Sequence, residues 1–72
     1  MGKHKFVDIG KRIKELRKEM GLSQTGLASL IGTTQDTISL WELGKSYPDI
    51  IFLVSLCKVF KVSADFLLCL EI

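Results

Sequence analysis

The stretch GTTQDTISLWELGKS, residues 32–46, admits two readings that ask different chemistry of the same side chains. Its tail, Gly44-Lys45-Ser46, matches the end of a phosphate-binding loop, G-x-x-x-x-G-K-[ST], whose glycines let backbone N–H groups close around phosphates. That loop needs its first glycine at position 39, where the chain has Ser39, and a strand in front of it. The preceding residues have helical spacing instead, with Ile38 and Trp41 at i and i+3. Gly44 therefore reads as the stop of a helix that Thr34 opens as N-cap and that runs from Gln35 to about Leu43.

Working outward, Ser23 is an N-cap for a short helix over residues 24–31, with Leu27, Leu30 and Ile31 apolar. Gly26 inside its first turn costs about 1 kcal/mol against alanine. Ala28 is small enough for a second helix to cross over it, and Gly32 tolerates the positive φ of a tight turn. In the next helix Ile38 and Trp41 face the domain, while the short polar face of Gln35, Asp36 and Ser39 is suited to base edges. Upstream, Ile9, Ile13, Leu16 and Met20 form one amphipathic stripe that Gly21 ends. Downstream, a fourth helix starts at Asp49 or a neighbour after Pro48 and runs through Phe60; a fifth runs from about Ser63 to Cys69. Five helices with short connections and no alternating run predict a compact all-α domain.

The 72 residues make one small domain, with residues 1–7 expected as a flexible basic start and the helix-turn-helix at about 24–43. Apolar residues are 47% of the chain, and the mean hydropathy of +0.30 is high for so small a core. The fourth helix, IIFLVSLCKVF, is too apolar to be one-sided. Leu53, Leu56, Cys57 and Phe60 suffice for the core, leaving Ile51, Val54 and Phe52, with Phe66, Leu70 and Ile72 near the end. Such a patch either pairs two copies or folds back on the last two helices.

No apolar run approaches the ~20 residues of a membrane span, and the opening MGKHKFVDIGKR has no apolar segment or cleavage site of a signal peptide. A cytoplasmic protein is expected. Cys57 and Cys69 sit in apolar surroundings, and the single histidine, His4, is remote from them, so they read as small hydrophobes rather than metal ligands. Seven of the ten Lys and Arg residues fall in the first twenty positions, against three acids; the remaining chain has three bases against five acids. That basic end attracts a polyanion or is simply a solvated face.

GLSQTGLASLIGTTQDTISLWELGKSYP resembles the helix-turn-helix of the lambda-repressor/Cro-type (XRE-like) family, and LVSLCKVFKVSADFLL resembles that family's closing two helices. The resemblance runs from about Ile9 to Leu68. It implies a five-helix bundle that binds operator DNA, usually as a dimer, with its third helix in the major groove. It implies a phosphate contact for Gln24 and base-facing positions for Thr34, Gln35, Asp36, Ser39 and Leu40. A glutamine at position 35 pairs with adenine N6 and N7; Asp36 accepts from a cytosine N4 amine or simply suits its helix N-terminus. Leu40 and Leu43 depart from the family, which often has polar residues there. The resemblance also pairs Arg17, late in the first helix, with Glu42, late in the third. Arg12 and Lys45 are further candidates for phosphate contact.

No nucleophile-base pair, carboxylate pair or metal cluster is visible, so an enzyme is not expected, nor is a cofactor or small-molecule ligand. The expected partners are double-stranded DNA and a second copy of the chain. The leading expectation is a sequence-specific transcriptional regulator, a repressor binding a palindromic operator. The alternative is a helix-turn-helix protein-interaction module, to which Asp36, Leu40, Leu43 and the low net charge are better suited.

Overall fold

The computed structural model describes residues 7–70, with side chains from residue 9 onward. The remainder of the expected N-terminal tail, residues 1–6, and Ile72 lie outside the described residues. Five helices follow one another: α1 (Val7–Glu19), α2 (Gln24–Ile31), α3 (Gln35–Glu42), α4 (Ile50–Phe60) and α5 (Ala64–Leu67). Among the described residues there is no strand.

One local device starts four of the five helices. Ser23, Thr34, Asp49 and Ser63 are extended, and their side chains accept the backbone N–H of Gly26, Thr37, Phe52 and Phe66 respectively. Each satisfies a donor that the first turn leaves without a helical partner. Helix α1 starts at Val7, inside the expected tail. Helix α5 is a single turn ending at Leu67, shorter than the expected run to Cys69.

Ile9, Ile13, Leu27, Ala28, Ile38, Trp41, Leu56, Phe60 and Leu67 form the core, so every helix contributes to it. The inward face expected of α4 is found in place: Leu56 and Phe60 are buried, and Leu53 and Cys57 pack against them half-buried. Three apolar residues sit differently from expectation. Met20 is exposed because α1 stops at Glu19, and Met20 already belongs to the turn into Gly21. Leu30 is exposed because Leu27, Ala28 and Ile31 occupy the inward face of α2. Phe52 is not surplus; its ring lies 5.6 Å from that of Trp41, tilted by 56°, and ties α4 to α3.

The glycine at position 10 has a role that helical periodicity does not reveal. It is buried in α1 where α1 passes the end of α3. A Cβ there would stand 2.1 Å from the Trp41 carbonyl oxygen and 3.1 Å from the Glu42 Cα. Only glycine lets the two backbones approach so closely.

Candidate nucleic-acid interface

Helices α2 and α3 pack on each other more extensively than any other pair. The turn between them is set by Gly32 at φ 81°, whose N–H and that of Thr33 both reach the Ala28 carbonyl at 2.9 Å. This left-handed closure of α2 brings Thr34 into position to cap α3. Ala28 is buried beneath the crossing. Ile38 and Trp41 then anchor α3, and its opposite side carries Gln35, Asp36 and Leu40 exposed, with Ser39 half-buried between them. Thr34 is exposed at the start of the same helix, its hydroxyl engaged with Thr37 at 3.0 Å. Lys45 lies exposed just beyond the end, past the left-handed Gly44. Leu40 is 43% and Leu43 65% exposed, so both leucines face outward and neither supports the core.

A polar network locks this helix to its scaffold. Arg17 donates from Nε to Glu42 Oε2 at 2.7 Å and from Nη2 to Oε1 at 3.0 Å, a two-pronged pair. Its Nη1 donates to the Leu22 carbonyl at 2.8 Å, closing the turn after α1. The Arg17 side chain is 9% exposed and that of Glu42 3%. Hydrogen bonding to Glu42 raises the Arg17 pKa above its ordinary value, and burial offsets part of that rise. Both charges are therefore fixed and shielded, and the planar guanidinium suits the carboxylate geometry.

The network continues to the exposed face. Gln24 Nε2 donates to Glu42 Oε1 at 2.9 Å. Gln35 Nε2 in turn donates to Gln24 Oε1. Arg17, Glu42, Gln24 and Gln35 thus form one chain of contacts from the α1 scaffold to the first residue of α3. Gln24 opens α2 half-buried, with much of its side-chain amide committed within the protein.

Arg12 is placed elsewhere. Its Nη1 donates to the Phe66 carbonyl at 2.6 Å, and the guanidinium lies 4.1 Å from the centre of the Phe66 ring. It clamps α5 to α1, a hydrogen bond and a cation–π contact across 54 positions of sequence. Beside the end of α3, Lys11, Lys14, Lys18, Glu15 and Glu42 line an open cleft of about 340 Å³. The three lysines are exposed along one side of α1. The helical periodicity of these bases was visible in the sequence, but their placement beside Glu42 depends on the α1–α3 crossing.

On α4 and after α5, Ile50, Ile51, Val54 and Leu70 are exposed. Ile50, Leu53, Val54, Cys57, Lys58 and Val62 line an apolar groove of about 330 Å³ along α4. Phe66 is 38% exposed, with its ring beneath Arg12. Burial raises the Cys57 thiol pKa, so that the group stays protonated more readily. Among the described residues no three His, Cys, Asp or Glu side chains are grouped to hold a metal ion. None of the described helices is long and apolar enough to cross a membrane.

A family model described as helix-turn-helix matches residues 13–67. The chain is 39% identical over 60 residues to the SPbeta prophage-derived HTH-type transcriptional regulator YonR of Bacillus subtilis, covering 83% of this chain and 56% of YonR. It therefore spans about half the length of that relative. The fold superposes with a TM-score of 0.80 on the P22 c2 repressor protein in complex with a synthetic operator, at 33% identity over 83% of this chain and 91% of that one. It also superposes with a TM-score of 0.78 on the restriction-modification controller protein C.AhdI of Aeromonas hydrophila, at 29% identity over 86% of this chain and 94% of that one. The five-helix arrangement of the described residues superposes on both solved structures over most of the chain. The chain belongs to the lambda-repressor/Cro-type, XRE-like helix-turn-helix family of transcriptional regulators.

Proposed function

We propose that this protein is a sequence-specific DNA-binding transcriptional regulator, a repressor that reads a palindromic operator as a homodimer. The observation that carries the reading is the anchored third helix. Its outward face is short and polar from Gln35 to Ser39, and its inward face is held by Ile38, Trp41 and the Arg17–Glu42 pair. A major-groove reader needs both properties, because base discrimination depends on side chains presented in fixed geometry.

In this reading Gln35 pairs with an adenine, Asp36 accepts from a cytosine amine, and Leu40 meets a thymine methyl. Thr34 and Ser39 add short contacts along the same face. The start of α2 at Gln24 and the side chain of Lys45 meet phosphates. Arg12, engaged with Phe66, serves the fold instead. The apolar groove and exposed side chains of α4, Ile51 and Val54 foremost, pair the two copies, with Phe66 and Leu70 at the margin. A two-fold dimer presents identical α3 faces about one helical turn of DNA apart. The protein works in the cytoplasm and needs neither cofactor nor chemical step, acting by occupying DNA.

One observation favours a second reading: Leu40 and Leu43 both lie exposed beside the polar face. In that reading α3 docks on another protein. Selection from a random DNA duplex pool near physiological salt, with Gln35→Ala beside the wild type, separates the two. The DNA reading predicts a two-fold symmetric motif that changes at one base pair per half-site in Gln35→Ala. No enrichment above the input pool overturns it in favour of the protein-docking reading.

A further inference from the structure

We infer that Asp36 and Leu40 together read one modified base, a cytosine that carries a methyl group at C5. This rests on the reading of α3 as a major-groove reader and deepens the contacts assigned there to these two residues. Asp36 stands in the first turn of α3 and Leu40 one turn later, both exposed on the outward face. Residues four apart on a helix lie about 5–6 Å from each other at Cβ. A leucine side chain also leans back over the turn before its own Cα, which carries the Leu40 methyl groups toward the Asp36 carboxylate.

Little else competes for that space. Ser39, the other neighbour of Asp36 one turn on, is short and half-buried. The Thr37 hydroxyl is engaged with Thr34, and the Gln35 amide donates to Gln24. Among the described residues no side chain pairs with the Asp36 carboxylate, which leaves its oxygens to accept from a ligand. The dipole of α3 accounts for an acid in its first turn, but not for a leucine 43% exposed one turn later.

An acceptor beside an apolar tip discriminates among bases. Cytosine donates from its N4 amine to Asp36 but offers Leu40 no methyl group. Thymine offers Leu40 its C5-methyl group but sets O4, an acceptor, against the carboxylate. Adenine donates from N6, but its second major-groove atom is N7, a polar acceptor with nothing for Leu40. 5-Methylcytosine has the amine and the methyl group on adjacent ring carbons, C4 and C5. It alone of these four satisfies both side chains at once.

The test begins with duplex-pool selection, which locates the base pair whose preference changes in Asp36→Ala. Synthetic duplexes then carry cytosine, 5-methylcytosine or thymine at that position in both half-sites, and binding is titrated at one salt concentration. Wild type should favour 5-methylcytosine over cytosine by about fourfold per half-site, the scale of one methyl group removed from water. It should favour 5-methylcytosine over thymine by about tenfold or more, as one correct hydrogen-bonding contact does. Leu40→Ser should make the two cytosines equal. Asp36→Asn, whose amide can either accept from N4 or donate to O4, should erase the distinction from thymine and keep the methyl advantage over cytosine. Both side chains are exposed, so melting should not change in either variant. Equal binding of the two cytosines by wild type, or weaker binding of the methylated one, overturns the inference. So does a methyl advantage that survives Leu40→Ser, because it then comes from the shape of the duplex. A selected motif that Asp36→Ala leaves untouched overturns it as well, with α3 still a reader of DNA. A wild type that selects no motif overturns the DNA reading beneath it.

Discussion

Helices α2 and α3 expose polar side chains alongside Leu30 and Leu40 and are tied to α1 by Arg17, Glu42 and Gln24, whereas α4 and the residues after α5 expose a denser apolar set, Ile50, Ile51, Val54 and Leu70. The left-handed turns divide the same way. Gly21, Gly32 and Gly44 supply them around α2 and α3, but Lys61 and Cys69 do so at the other end. The first region has the features of a surface that must hold side chains in fixed directions. The second has the features of one that needs area more than direction, because apolar burial is non-directional and scales with contact. The proposed division of labour between reading and pairing rests on that difference in chemistry.

The largest expected effect breaks the reading side. Glu42→Ala leaves the Arg17 guanidinium nearly buried without its carboxylate, at a cost of about 3–5 kcal/mol. Thermal and denaturant melting should show the loss directly, with DNA binding lost alongside it. Melting and binding equal to wild type would mean that the pair does not hold α3. The loss is not the net contribution of the pair, since burying two charges is itself costly; it reflects the charge left behind.

Ile51→Glu addresses the other region and should separate pairing from folding. Ile51 is 71% exposed, so the substitution should leave the isolated chain's melting within about 0.5 kcal/mol of wild type. It should weaken self-association by about 2 kcal/mol, the scale of one apolar side chain removed from an interface. Thermal melting at low concentration checks the first, and sedimentation equilibrium over a concentration series checks the second. A wild type that stays monomeric at micromolar concentrations would remove α4 as the pairing surface.

Lys45→Ala sharpens the reading side without touching its scaffold. Loss of one phosphate contact per half-site should lower the slope of log affinity against log salt by about one for each copy bound, with little change in base preference. An unchanged slope would place Lys45 away from the backbone of the duplex.

What the sequence made legible was local. Ser23, Thr34, Asp49 and Ser63 act within three residues of themselves, and all four cap the helices that follow them. The α3 anchors Ile38 and Trp41 also follow from spacing alone. Arg12 was obscure because its partner, Phe66, lies at the far end of the chain, and a surface-seeking cation and a clamp look identical in one dimension. Gly10 was obscure because the backbone it approaches, at Trp41 and Glu42, belongs to another helix. Met20 kept the stripe's period but fell one residue beyond the helix. The Gln24–Glu42 bond required both the α2–α3 crossing and the Arg17 pair before it had meaning.

The smallest effect concerns the left-handed turns themselves. Lys61 has φ 59° and ψ 46°, and its N–H closes α4 on the Cys57 carbonyl, the same job that Gly32 does for α2 at φ 81°. A side chain in that region costs about 1–2 kcal/mol, whereas glycine pays instead through the larger freedom of its unfolded chain, about 0.5–1 kcal/mol. Lys61→Gly should therefore stabilise the fold by roughly 0.5 kcal/mol net, after the loss of a cation from the α4 C-terminus is counted. Lys61→Ala isolates that charge, since it keeps the strained backbone and removes only the ammonium; the glycine variant should exceed it by about 1 kcal/mol. Gly32→Ala is the mirror experiment. Nothing lies within 4 Å of the added Cβ, so its expected loss of about 1 kcal/mol comes from backbone conformation and not from a clash. Gains and losses of similar size at the two positions would show that both helix ends obey one conformational rule. A Lys61→Gly variant no more stable than Lys61→Ala would mean instead that the α4 end relaxes around its side chain, as a region selected for contact area rather than direction is free to do.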